Sequence, residues 1–359
     1  MNFAEVDRVI ESGVDQGVFP GVTVLVSHGG TVRYRRAHGW RSLEPERTPL
    51  SRDMIYDTAS LTKPLATTVA LMLLVADHKL SLDDRVVRFF PAFVGQDKED
   101  VTVRHLLSHA SGLPAWRHYY QESARGEIYA RALREPLEAQ PGTRAVYSDV
   151  GFMLLGALVE LLSGAPLHQY CAERIFQPLQ LRDTVFLPLG QRPVTEERKL
   201  RFVPTENCPW RQRVLCAEVH DENAYAMGGV AGHAGLFSTV DDLNRLVSCL
   251  LACCRGTQAF LSEDVVREFW TRDGRVPAST WALGWDTPSP QHSSAGELFS
   301  VHSVGHLGFT GTSVWIDLER DVHVIVLSNR VHPRRDNTLI RSFRPALHNA
   351  VMRAMLGKC

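Results

Sequence analysis

Residues 57–68 read DTASLTKPLATT and run directly into VALMLLVADHKL. The apolar spacing predicts a buried helix over residues 60–78, with Pro64 tolerated because it falls in the opening turn. Lys63 then sits at the start of that helix, three positions after Ser60. A charged amine there costs free energy unless it is paired or chemically used. Positions i and i+3 share a helix face, so the Ser60 hydroxyl and the Lys63 amine are expected to touch. A serine hydroxyl is a weak nucleophile until a nearby base takes its proton, and a desolvated lysine can be that base in its neutral form. The N–H groups left free at a helix start would stabilise a developing oxyanion. Ser-x-x-Lys alone occurs by chance in many chains, so the pair needs partners from elsewhere.

Upstream, Phe3, Val6, Ile10 and Val14 recur at helical spacing, and GVTVLVSHGGTVRYRRAHGW (21–40) carries two β-branched runs around Gly29-Gly30, a hairpin signal. Downstream, TVRHLLSHASGL (102–113) reads as a short helix ending near Gly112. SDVGFMLLGALVELLSG (148–164) is a longer one, capped by Ser148 or Asp149 and stopped by Gly164. Another helix follows from Pro166 to Phe176, and STVDDLNRLVSCLLACC (238–254) is capped by Ser238 or Thr239. Residues 187–226 are polar and irregular, which predicts a long loop excursion rather than a further domain. WALGWDT, FSVHSVGH, TSVWIDL and DVHVIVLSN are strand-like, the last two joined at Glu319-Arg320, and RPALHNAVMRAML closes the chain as a helix. Strands at both ends with helices between them predict an α+β fold. One antiparallel sheet is built from both chain ends and flanked by helices, with a helical lobe inserted. A single domain spans 1–359, with 1–58 and 275–359 forming the sheet lobe and 59–274 a mainly helical lobe.

Two further stretches raise the standing of Ser60 and Lys63. PGTRAVYSDVGFMLLG (141–156) sets Tyr147-Ser148-Asp149 just before a helix, and VGHLGFTGTSVWIDLERD (304–321) sets His306-Leu307-Gly308 before a strand. The order Ser-x-x-Lys, Tyr-x-polar, His-x-Gly resembles the serine β-lactamase and penicillin-binding-protein-like hydrolases. Within them it is most similar to the branch holding class C β-lactamases, D-alanyl-D-alanine carboxypeptidases and family VIII esterases. TVRHLLSHASGLP and GGVAGHAGLFSTVDDLNRL are also similar to segments of that family, and the resemblance runs from Phe19 to His332.

The resemblance implies that Ser60 is the nucleophile of an acyl-enzyme, that Lys63 shares its proton, and that Tyr147 is general base or acid, its phenolate favoured by the ammonium. The oxyanion hole would be the backbone N–H groups of Ser60 and Phe309. Asp149, His306 and Gly308 would bind substrate, the glycine admitting substrate backbone closely. Two residues depart from the β-lactamase pattern. Asp149 replaces an asparagine and cannot donate to a substrate amide, although it can pair with Lys63. His306 replaces a lysine and is charged only in part near neutrality. Both weaken the case for β-lactam hydrolysis, while esterase or peptidase chemistry survives them. The expected substrate is a small ester, amide or D-amino-acid peptide, with no metal and no cofactor. The alternatives are a class C-like β-lactamase and a non-catalytic binding or scaffold protein that keeps the fold.

Other residues invite competing readings. His105, His109, His220, His233, His302 and His306 form no HExxH or Cys-x-x-Cys-type cluster, which favours structural roles over zinc. Ser111 lacks a lysine at i+3, so loop ordering is expected of it. Trp116, Trp281 and Trp285 can line a cleft, with core packing the default for tryptophan. There is no Gly-x-Ser-x-Gly elbow of an α/β-hydrolase. The 359 residues are 44% hydrophobic and 22% charged with a formal net charge of -1. That balance and the absence of a basic tract argue against nucleic-acid or anionic-membrane partners. The longest apolar run, Val69 to Ala76, falls short of a spanning helix. The amphipathic start and seven cysteines, an odd number, favour a reduced, cytoplasmic setting over a signal peptide and a disulfide framework.

Overall fold

The computed structural model describes residues 1–121, 125–191 and 194–357. Its centre is a six-stranded antiparallel sheet whose strands come from the two chain ends. Gly21–His28 lies in the middle, paired on one side with Thr31–Ser42 and on the other with Val322–Ser328. Thr48–Pro49 extends the first side; Ser313–Asp317 and then Val304–Leu307 extend the second. The register sets Val24 opposite Val326, joining the N-terminal hairpin to the C-terminal one.

Alternation along the central strand sends its side chains to two cores. Val22, Val24 and Val26 face the layer made by helices Ala4–Asp15 and Ile340–Leu356, where they meet Val6, Ile10, Leu347 and Val351. Leu25 faces the larger core, where Ile325, Leu327 and Val314 pack with the middle helices. The fold is thus α+β, with the sheet between terminal and internal helices. Lys63 lies under the sheet's far end, where Val304–Leu307 packs on the turn that carries Ser60.

Several elements differ from expectation. The predicted helix over 60–78 is broken into a tight turn at Ala59–Leu61, a wide-turned stretch at Lys63–Thr68 and an α-helix only at Val69–Ala76. Pro64 has no N–H and cannot sit inside a regular ladder, and a wider turn accommodates it. Taken together, Ala59–Ala76 is long and apolar enough to cross a membrane, contrary to the reading of the shorter run, but 83% of it is buried among the protein's own helices and sheet. The helix in 102–113 stops at Leu107, well before Gly112. WALGWDT forms only single bridges, Trp281 to Asp286 and Asp286 to Gly305, rather than a strand. The excursion at 187–226 holds short helices at Glu196–Lys199 and Glu222–Ala226 and a two-stranded hairpin, Asn207–Cys208 with Arg213–Val214. The last helix begins at Ile340, so Pro345 lies inside it. The six described cysteines are free; Cys359 lies outside the described residues.

Candidate active site

Asp57 ends a short strand and accepts from Ala59 N at 2.8 Å and His220 N at 2.7 Å. Ala59 takes a left-handed φ of 48°, which costs free energy in an alanine, and the bond to Asp57 holds it there. That strained step projects Ser60 into a cavity of about 680 Å³ while Lys63 goes inward, fully buried. Burial pushes the Asp57 pKa up to about 6 against the pull of its two N–H donors.

Lys63 Nζ donates to Ser60 Oγ at 3.1 Å and to His233 O at 3.0 Å, and pairs with Asp149 Oδ1 at 2.7 Å. It also lies 4.7 Å from the Tyr147 ring centroid, and both Lys63 and Ser60 act on the Tyr147 hydroxyl electrostatically. Burial is the largest influence and opposes the ammonium, but Asp149 and Tyr147 together outweigh it and raise the Lys63 pKa above the ordinary lysine value. Burial likewise raises the Tyr147 pKa; Lys63 pulls it down and Asp149 pushes it up, and the net is upward. The ammonium favours the phenolate as expected from its charge, yet burial and Asp149 prevail, so at neutrality both groups hold their protons.

Ser148 caps helix Asp149–Ser163 by accepting from Gly151 N at 3.0 Å, and this fixes Tyr147 and Asp149 on either side of the cap. His109 holds the same segment: its Nδ1 accepts from Ser148 N at 3.0 Å and its carbonyl accepts from Val146 N at 2.8 Å. Tyr147 stacks on Trp281 at 5.5 Å. His306 faces this group across the cavity, 2% exposed, with Nδ1 tied to Leu307 O at 2.8 Å. Burial and Lys63 push its pKa down to about 3, so it is neutral, and the partial charge expected of it is corrected.

Gly308 also has a different reason to be glycine. A Cβ there would lie 2.6 Å from Thr58 O and 1.9 Å from Thr312 Oγ1, so the residue is needed for packing against the nucleophile's own turn. Arg344 braces this corner, donating to Gly308 O and Thr312 O at 2.8 Å each. Phe309 N has no hydrogen-bond partner among the described residues. The first bond of the Ser60 turn runs from Leu61 N to Thr58 O, which leaves the Ser60 N–H ahead of it.

Trp116 and Trp281 line the cavity, whereas Trp285 is core. Ser111 is buried and accepts from Leu113 N. His105 completes the cap of its own helix, and His302 is exposed beside Glu319. Among the described residues no three metal-ligating side chains come together. Sequence reasoning missed Asp57 and Asp221. Asp221 Oδ1 bonds His233 Nε2 at 2.8 Å and so steadies the carbonyl that receives Lys63; its signal was its cap position before Glu222–Ala226.

The family model for Beta-lactamase matches residues 6–344. This chain belongs to the Beta-lactamase family. A protein of Escherichia coli (strain K12), described provisionally as a D-alanyl-D-alanine carboxypeptidase, is 34% identical over 91% of this chain and 82% of its own length. The N-acetylmuramyl-L-alanine amidase of Bacillus subtilis (strain 168) is 33% identical over 91% of this chain and 81% of its own. Among solved structures, EstCE1, a hydrolase with promiscuous acyltransferase activity, superposes with a TM-score of 0.74 at 24% identity, covering 97% of each chain, a likeness of fold. Relatives named carboxypeptidase and amidase make a hydrolase the coarse reading for this member of the Beta-lactamase family.

Proposed function

We propose that the chain is a serine hydrolase working through an acyl-enzyme on a small ester, amide or D-amino-acid peptide. The observation that carries this reading is the 3.1 Å contact between Lys63 Nζ and Ser60 Oγ beside Tyr147, at the wall of an open cavity. Ser60 Oγ attacks the substrate carbonyl as its proton passes to the deprotonated form of Tyr147, with the Lys63 ammonium stabilising the charge that moves between them. The Ser60 and Phe309 N–H groups receive the oxyanion. Tyr147 then returns the proton to the departing alcohol or amine, and water repeats the sequence to free the acid and Ser60. The carboxypeptidase and amidase names of the relatives support amides and peptides as well as esters. Asp149 brings a negative charge to the site and the neutral His306 supplies no positive one where the β-lactamase pattern has a lysine, so nitrocefin is the poorer substrate.

The test is a panel of short acyl esters, D-Ala-D-Ala peptides and nitrocefin, run on wild type and Ser60→Ala. Turnover is expected to vanish in the variant while its melting temperature holds, because Ser60 is partly exposed and its hydroxyl contributes little to packing. Retained turnover would move the nucleophile elsewhere, and failure of wild type on the whole panel would favour a binding protein.

A further inference from the structure

The cavity that holds Ser60 does not end at Trp116. From that ring a run of aromatic side chains leads away over the surface. Trp116 lies 4.4 Å from His118 and 6.3 Å from Tyr120, Tyr120 lies 4.7 Å from Trp210, and Trp210 lies 5.7 Å from Tyr225. Trp210 is 43% exposed, an unusual expense of apolar surface for a large ring unless something covers it.

The rings are held from beneath. Asn223, fully buried, accepts from Tyr120 N at 3.0 Å and donates to Arg117 O at 2.9 Å, which pins the 116–121 loop to helix Glu222–Ala226. Arg211 donates to Val219 O at 2.7 Å and His220 O at 2.6 Å and stacks 4.4 Å from the Tyr225 ring centroid, which fixes the hairpin that carries Trp210. Ordering of this kind removes much of the entropic cost of binding.

The charges along the run are already matched. Arg117 pairs with Glu135 and Glu138, and Arg211 with Glu218. An anionic ligand therefore finds Arg117 and Arg211 already paired among the described residues, and an acyl chain finds rings with polar edges in place of an aliphatic trough. A pyranose has apolar C–H faces and a rim of hydroxyls, and amphipathic aromatic rings match both.

We propose that the Trp116–Tyr120–Trp210 run is a sugar-binding subsite, so that the substrate cleaved at Ser60 carries an uncharged or N-acetylated pyranose on the side facing Trp116. The subsite rests on the hydrolase reading only for its link to catalysis; binding of a sugar is independent of it.

The experiment is calorimetric titration of Ser60→Ala with di-N-acetylchitobiose, with octanoate and adenosine as parallel ligands. The disaccharide should bind at a single site. Trp210→Ala in the same background should weaken binding about tenfold, and Trp210→Phe should weaken it less. Circular dichroism and melting of each variant establish that it is folded, and Tyr120→Ala replaces Trp210→Ala if that chain is not. Absence of saturable disaccharide binding, binding indifferent to both ring deletions, or preference for octanoate or adenosine would each overturn the subsite. Because no turnover is measured, failure here is distinguishable from failure of the acyl-enzyme reading.

Discussion

Asp149 stands where the class C pattern has asparagine, and at the scale of the residue the difference is one of charge. The carboxylate 2.7 Å from Lys63 keeps the amine an ammonium and adds to the burial that keeps Tyr147 protonated. If Tyr147 accepts the Ser60 proton, only its phenolate fraction is active. A pKa above the ordinary tyrosine value puts that fraction's rise on the alkaline side. For an uncharged ester, log kcat/KM is expected to climb with a slope of about 1 from about pH 7 to 9 without levelling. Asp149→Asn removes the charge that favours both protonated forms, so the rising limb moves to lower pH. The same change adds an amide donor and should improve the ratio of nitrocefin to ester turnover by roughly tenfold. A wild-type plateau near neutrality, or a ratio that falls in the variant, would contradict this account. The Ser60, Lys63, Tyr147 grouping was legible because each residue lies in a short ordered motif. The protonation states were not, since they depend on burial that no spacing encodes. Asp57 and Asp221 were hidden for a similar reason: each acts through a partner that no local spacing announces, Asp57 through the distant His220 N–H and Asp221 through the His233 ring.

Among the elements, helix Asp149–Ser163 and the loop through Gly232 meet backbone to backbone. A Cβ on Gly232 would stand 2.1 Å from Phe152 O and 2.8 Å from Gly156 N, and the Gly232 carbonyl accepts from Thr67 Oγ1 at 2.7 Å. The next residue, His233, supplies the carbonyl that receives Lys63. Gly232→Ala therefore cannot be absorbed locally. It is expected to cost about 2 kcal/mol or more, read as a lower urea midpoint, and to lower kcat by displacing Lys63. A variant with the wild-type midpoint and wild-type kcat would show that the contact is slack. Elements with clear caps were readable: Ser148 and Thr239 cap where the sequence indicated, and Gly164 ends its helix at a φ of 71°. The widened turn at Lys63–Thr68 was not, because Pro64 signals an irregularity in the ladder without specifying the geometry that replaces it. WALGWDT has strand composition, but its pairing is limited to single bridges by the turn at Gly284.

Across the whole molecule, the sheet from both chain ends followed from β-branched runs near each terminus, whereas the order of its strands required the paired register of Gly21–His28 with Val322–Ser328. The same packing buries His109, His220, His306, His323 and His348 as neutral rings, with pKa values pushed below the ordinary histidine value chiefly by burial. Groups of this kind contribute stability that is complete above the unfolded pKa and is lost as pH falls toward the folded one. Asp57 and Asp286, both raised to about 6, act in the opposite sense between about pH 6 and 4. His105, His168 and His332 are lowered as well and Asp242 is raised, so the histidines still outnumber the carboxylates and predict a melting temperature that is flat above about pH 7 and falls steadily between about pH 6.5 and 4. A melting temperature that rises on acidification would contradict this balance. The central claim, an acyl-enzyme on Ser60, is tested most directly by intact-mass and peptide-mapping mass spectrometry after reaction with a fluorophosphonate. The account predicts one adduct, on the peptide containing Ser60, absent in Ser60→Ala and slowed in Lys63→Ala. An adduct on any other residue, or an unlabelled chain that still hydrolyses esters, would contradict it.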